Sequence, residues 1–309
     1  MAINRVEIKD FLVFNGEFAA DFCPGINVLI GGNGTGKTTL LKLLYVEYKG
    51  CFAGRGVDEF IDAYFGATVQ YKQGNVKITP DEAAYNMEFN IPGDVYIPEK
   101  DILEHSKGLL LFIEQKPTGF SQIYKDAIVS AQDIPIKNQT ETQKRIGEKI
   151  TSIIGGYIEW VQSEGAFYTI RTDGMRIPFA VEASGFKKLG FLGLLVASGQ
   201  LEPGAVLFWD EPENSLNPEL IPILVDILLE LSRNEVQIFL ATHSEILASY
   251  FAIDRKRSDA VVFHSLYRDS GFIRIESGDR FDLLDNNMLS SEPVKLYRRQ
   301  LERGLSGNG

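Results

Sequence analysis

A lysine, two adjacent carboxylates and a histidine each follow an apolar run in this sequence, which is where a phosphate-transfer site would need them. Gly31-Gly32-Asn33-Gly34-Thr35-Gly36-Lys37-Thr38 fits the pattern G-x-x-x-x-G-K-[ST]. Its glycines let successive backbone N–H groups turn inward around phosphate oxygens, and a helix starting at its end adds the positive pole of its dipole. Asn33, Gly34, Thr35 and Gly36 form this cradle, and Lys37 adds a point charge for the β- and γ-phosphates. The Thr38 hydroxyl is the expected Mg²⁺ ligand and Thr39 a further phosphate contact. The expected ligand is a nucleoside triphosphate with Mg²⁺.

The apolar run Ala205 to Trp209 delivers Asp210 and Glu211 at its end, where open α/β sheets place their ligands. Asp210 would hold the metal through its water shell, and Glu211 would polarise the water that attacks the γ-phosphate. Two acids after a strand also make a plain surface turn, so their assignment leans on the phosphate loop of the same sheet. A third apolar run, Val236 to Thr242, ends in His243, placed to sense the γ-phosphate. His105 and His264 lack that context and read as structural. In Glu182-Ala183-Ser184-Gly185, Ser184 reads as a helix N-cap, followed by a stripe at Phe186, Leu189, Leu192 and Val196.

The elements that must position these groups follow from periodicity and turn chemistry. Ile3 to Ile8 and Phe18 to Phe22 read as a hairpin turning at Asn15-Gly16; Ile26 to Ile30 is a buried strand, and Thr39 to Tyr48 the helix behind the loop. Residues 67–97 suggest an antiparallel sub-sheet, with strands at Ala67 to Tyr71, Val76 to Ile78, Tyr85 to Phe89 and Val95 to Ile97. Asp101 to Val161 reads as helical, without a sustained heptad repeat and too short for a long coiled-coil arm. Alternating strands and helices then return. The expectation is one α/β domain over residues 1–309, with a mainly parallel core sheet. Residues 1–100 and 162–309 would form the nucleotide-binding core and 101–161 an inserted helical lobe.

Composition limits the function classes. No window holds the roughly 18 apolar residues of a spanning helix, and Arg5, Glu7, Lys9 and Asp10 interrupt any export signal, so a cytoplasmic protein without membrane attachment is expected. Cys23 and Cys51 lack disulfide or metal-site spacing. A net charge of −11 disfavours a surface built for nucleic acid, although Ser291 to Gly304 carries Lys295, Arg298, Arg299 and Arg303 and is locally basic.

In this order the motifs resemble the ABC-type ATPase superfamily, and more narrowly the SMC- and OLD-like AAA family ATPases of bacterial DNA repair and phage defence, over roughly Ile3 to Leu247. The resemblance implies an ATPase that forms a homodimer on binding ATP. The phosphate loop, Asp210, Glu211 and His243 of one protomer would then be completed by the signature Ala183-Ser184-Gly185 of the other. Asn214 to Pro218 would be the family's D-loop, with Asn217 where relatives often carry His or Asp. No glutamine stands at the Q-loop position, where Glu99 or Lys100 is the substitute. Three functions share these motifs: a switch that controls a separate effector such as a nuclease or toxin, a DNA-repair ATPase that grips DNA as a closed dimer, and the ATP-binding subunit of a transporter. The Phe186-Lys187-Lys188 continuation departs from the glycine-glutamine run of transporter signatures.

Overall fold

The computed structural model describes residues 2–53, 64, 75–80, 94–115 and 122–305. Strands β1 (Ile3–Phe11) and β2 (Phe14–Asp21) form an antiparallel hairpin that turns at Leu12-Val13, not at Asn15-Gly16. Asp10 and Leu12 both take positive φ and turn the chain early, and the Asp10 carboxylate accepts the Gly16 N–H at 2.8 Å. Strand β4 (Asn75–Pro80) pairs with β1, which gives the order β2-β1-β4. Of the expected sub-sheet over 67–97, Val76 to Ile78 lies in β4, while Ala67 to Tyr71 and Tyr85 to Phe89 lie outside the described residues. Val95 to Ile97 is not part of an antiparallel sheet. It forms β5 (Asp94–Ile97), parallel to β9 (Val206–Asp210), because three consecutive buried residues suit a strand covered on both faces.

The central sheet has the order β12-β11-β3-β10-β9-β5. Strand β3 is Ile26–Gly31, β10 is Gln237–Ala241, β11 is Val261–Asp269 and β12 is Phe272–Gly278; only the β11–β12 pair is antiparallel. Alternate residues feed two cores. Val206, Phe208, Phe239 and Leu29 face the hairpin and helix α1 (Lys37–Ala53), with Phe208 and Phe239 stacked at 5.4 Å. Leu207, Trp209, Ile238 and Leu240 face the helices of the other layer.

That layer contains α2 (Ser106–Gln115), α3 (Gln122–Ala131), α4 (Glu141–Ile154), α5 (Ser184–Ala197), α6 (Ile221–Arg233) and α7 (Glu245–Asp254). A capping box starts α4: Gln143 N–H donates to Thr140 Oγ1 and Thr140 N–H to Gln143 Oε1. Its Ile146, Ile150 and Ile154, four apart, enter the same core as Leu207 and Trp209, so the 101–161 helices share their packing with the sheet. The helical reading to Val161 needs correction. Gly155, at φ +66°, ends α4, and Gly156–Val161 is β6 of a second antiparallel sheet with β7 (Ala166–Arg171) and β8 (Arg176–Pro178). The last helix, α8 (Met288–Leu305), carries exposed Arg298, Arg299 and Arg303. Among the described residues no helix is long and apolar enough to cross a membrane, and none forms a long coiled-coil arm.

Helix α5 crosses β6 closely at Gly190, where an added Cβ would lie 2.4 Å from Cγ1 of Ile158, itself 7% exposed. Gly190→Ala should therefore destabilise the protein: helix propensity returns about 1 kcal/mol, but overpacking against a branched side chain costs ~1–3 kcal/mol. A lower urea midpoint at unchanged slope is the expected result, and a higher midpoint would refute the tight crossing.

Candidate functional site

The ends of three parallel strands build one mouth. From β3 the chain enters the phosphate loop with φ of +145° at Gly31, +71° at Gly34 and +90° at Gly36. At Gly31 a Cβ would meet the Leu266 carbonyl at 2.3 Å, so only glycine lets the loop leave the sheet here. Thr35, buried, donates its hydroxyl to the Gly32 carbonyl at 2.9 Å and braces the loop from within. Lys37 opens α1, is 5% exposed, and donates to the carbonyls of Gly31 (2.9 Å) and Gly32 (3.0 Å). Burial pulls its pKa down to about 8 against the opposing pull of Glu211, Asp210 and Glu213. Asn33, Gly34 and Thr38 are exposed at the rim, and Thr39 is half-buried.

From β9 come Asp210 and Glu211. The Thr38 hydroxyl donates to Asp210 Oδ1 at 3.2 Å, which joins two motifs 172 positions apart, and the Tyr96 hydroxyl donates to Oδ2 at 3.5 Å. Burial lifts the Asp210 pKa even though Thr38, Lys42 and Lys37 counteract it. A buried carboxylate left short of positive charge, beside a hydroxyl at the phosphate end of the loop, fits Mg²⁺, which takes few protein oxygens and keeps water and phosphate in the rest of its shell. Among the described residues no cluster of three or more His, Cys, Asp or Glu side chains could hold a metal by itself.

Glu211 takes φ +48°, and its N–H donates to the Ala241 carbonyl at 2.8 Å. Burial raises its pKa, and the nearby charges of Glu99, Asp210 and Glu213 raise it further. His243, following β10, brings Nε2 to 3.3 Å from Glu211 Oε1. Burial, and after it the charge of Lys37, lower the His243 pKa against the opposing pull of Glu213 and Glu99. Glu213, which the sequence reading passed over, orders the turn behind it: Oε1 accepts the Thr242 hydroxyl at 2.6 Å and the His243 N–H at 3.1 Å. Ser244 then caps α7 through the Leu247 N–H.

Ser184 is not the N-cap of α5. That position is Ala183, whose side chain has no acceptor, and Ser184 is the exposed first helical residue. Among the described contacts none joins Ser184 or Gly185 to the phosphate loop. Gly185 packs against Ser215 and Leu216, where a Cβ would meet Leu216 Cδ1 at 3.2 Å. Asn214 Nδ2 donates to Glu99 Oε1 at 3.3 Å, which links the turn after β9 to the exposed Glu99-Lys100 at the end of β5. Arg268 lacked a motif to mark it, and Lys188 stood in the signature stretch without a role. Lys188 Nζ donates to the Glu211 carbonyl at 2.9 Å, and Arg268 Nη2 to the Gly34 carbonyl at 2.8 Å. The one sequence signal for Lys188 is its place on a helix otherwise apolar on nearly every side. His264 is structural as expected: it is buried, its Nε2 bonds Asn27 Oδ1 at 3.1 Å, and desolvation takes its pKa to about 4.

The Lys37 value gives a sign to pH dependence. The protonated ammonium is the form that grips phosphate, so affinity for ATP should be level below pH 8 and fall by up to about tenfold per unit above it. Calorimetry at pH 8 in buffers of different ionisation heat should show proton uptake on binding; its absence would mean that Lys37 is not the phosphate ligand.

A family described as AAA domain, putative AbiEii toxin, type IV TA system, matches residues 113–249, less than half of the chain. No curated protein matches the sequence. Among solved structures, an SMC head bound to the C-winged helix domain of ScpA aligns with 90% of this chain and 98% of its own, at 14% identity and a TM-score of 0.55. The SMC head domain from Thermotoga maritima aligns with 89% of this chain and 98% of its own, at 14% identity and 0.46. An ATP-binding cassette of an ABC transporter in its ADP conformation aligns with 96% and 98%, at 15% identity and 0.43. At these identities the likeness is one of fold.

Proposed function

We propose, from a fold shared with an SMC head and from the order of its motifs, that the chain is an ABC/SMC-like P-loop ATPase that binds and hydrolyses ATP as a dimeric switch controlling a separate effector. The observation that carries the reading is the 3.2 Å contact of Thr38 with Asp210, which sets a hard-oxygen pair beside the Lys37 cradle. Asn33 to Thr39 hold the phosphates. Thr38 and Asp210 would hold Mg²⁺, which would supply charge neutralisation to the phosphates. Glu211 accepts the proton of the attacking water, its basicity raised by burial and by Glu99, Asp210 and Glu213. His243, with Nε2 3.3 Å from Glu211 Oε1, stands beside that carboxylate and flanks the path to the γ-phosphate.

These groups surround a nucleotide from one side. Ser184, exposed at the start of α5 with free helix N–H groups nearby, is a suitable γ-phosphate ligand for a second copy, and an isologous pair satisfies both sites at once. Residues 1–309 then act as a single domain, a reading supported by the core that α3 and α4 share with the sheet. A link to a toxin system is supported by the description of the matching family, which names a putative toxin of a type IV TA system, and a docked partner by the ScpA domain bound to the similar SMC head.

Phosphate release measured against protein concentration tests the dimer. Specific activity should rise with concentration and then level off; a rate per chain independent of concentration, from a protein that scatters as a monomer with ATP, would remove the composite site.

A further inference from the structure

Glu211 is held in a backbone conformation that a residue with a Cβ enters only when its surroundings impose it. Its peptide is tied on both sides: the N–H to Ala241 at the end of β10, and the carbonyl to Lys188 Nζ at 2.9 Å and to the Asn214 N–H of its own turn at 3.0 Å, so that Lys188 is the tie that comes from α5. Lys188 lies one turn into α5, four residues after Ser184, and is 4% exposed. Burying an ammonium to serve one backbone carbonyl is a poor source of stability. Burial indeed lowers its pKa, with Asp101, Glu213, Glu211 and Glu99 opposing the shift. The start of the same helix presses on the segment after β9, where Gly185 meets Leu216 and the Ser215 carbonyl. Helix α5 therefore grips the Asp210–Leu216 segment at two points.

We propose that Lys188 is a positioning residue that fixes Glu211 of its own subunit and makes the setting of that carboxylate depend on where α5 sits. The inference rests on the composite site proposed above, in which Ser184 meets the γ-phosphate held by the other subunit. One helix then touches the partner's nucleotide at its tip and, a turn later, holds its own water-polarising residue. ATP in one site thereby sets the readiness of the other.

The full-length protein tests this. Lys188→Met keeps the chain length and removes the donor; KM for ATP and the ATP-dependent dimer mass should stay as in wild type, while kcat falls by about a hundredfold, the scale of a small misplacement at a reacting centre. Lys188→Arg should restore part of it. Differently tagged chains, co-purified as mixed dimers, separate positioning from general damage to α5. With Lys188→Met and Glu211→Gln on the same chain, the other chain keeps both residues, and up to about half of wild-type turnover should remain, one of two equivalent sites. With the changes split between chains, neither subunit has both residues and turnover should nearly vanish. If Lys188 served only the shape of the α5 tip, the pattern would invert, because the same-chain pair would set the damaged tip against the one intact Glu211. That inversion, or wild-type kcat in Lys188→Met, overturns the role of Lys188. A wild-type protein that hydrolyses ATP as a monomer instead overturns the composite site, and the coupling with it.

Discussion

Lys37→Ala should weaken ATP binding by a factor of roughly ten to a hundred while keeping its fold. The ammonium is the formal charge that the phosphate loop itself contributes, and a hydrogen bond from a charged donor to a buried acceptor is worth about 1.5–3 kcal/mol, with each 1.4 kcal/mol a factor of ten in affinity. Its replacement leaves the glycine backbone and the Thr35 brace in place. Stability should hold because burial already works against this lysine, as its pKa of about 8 records. Of the two carbonyls that lose a donor, Gly32 keeps the Thr35 hydroxyl, and the space left by the lysine side chain beside Gly31 has room for water. Calorimetric titration alongside thermal melting checks both halves. Wild-type affinity in the variant would remove the phosphate-loop assignment; an unfolded variant would show that Lys37 braces the loop as much as it binds ligand.

Glu211→Gln should trap the nucleotide-bound dimer. Glutamine keeps the size of the side chain and relieves the crowding of carboxylates around it, so ATP binding should be undiminished. It cannot accept the water's proton, and loss of a positioned general base costs on the order of 10²–10⁴ in rate. Light scattering with ATP and Mg²⁺ should give twice the monomer mass, and omission of either should return the monomer. Adding Ser184→Arg places a bulky cation where the second subunit must approach, so the double variant should stay monomeric. Unchanged phosphate release in Glu211→Gln, or a dimer that survives Ser184→Arg, would refute the assigned roles.

What could be read before any coordinates were known were the groups whose partners are close in sequence or announced by an apolar strand. The loop from Gly31 to Thr38 is one continuous stretch, and Asp210 and His243 each follow a run buried along its whole length. The resemblance of these motifs to SMC heads agrees with the fold found. The legible part stops where a contact crosses the fold. Lys188 reaches a carbonyl 23 positions away, Glu213 a backbone N–H 30 positions away and Asn214 a carboxylate 115 positions away. None belongs to a periodic pattern. Local rules also misplaced Ser184, since a serine before an apolar stripe satisfies the cap signature whether it is the last residue outside the helix or the first within it. The turn at Leu12-Val13 had no Gly or Asn to mark it, and Asn15-Gly16, which had both, lies inside β2.

The pairing of β3 also has a consequence for how the molecule is made. The strand that presents the phosphate loop begins at Ile26, yet its two neighbours are β10 and β11, so nothing flanks it until residues 237–269 have been synthesised. Pairings between strands so distant in sequence close late and slowly. A ribosome-bound chain therefore carries its loop long before it has a sheet to hold it, and a fragment ending before β10 lacks His243 and both flanking strands. Translation order thus delays the site: the loop and the strands that hold it can meet only once residues 237–269 have emerged.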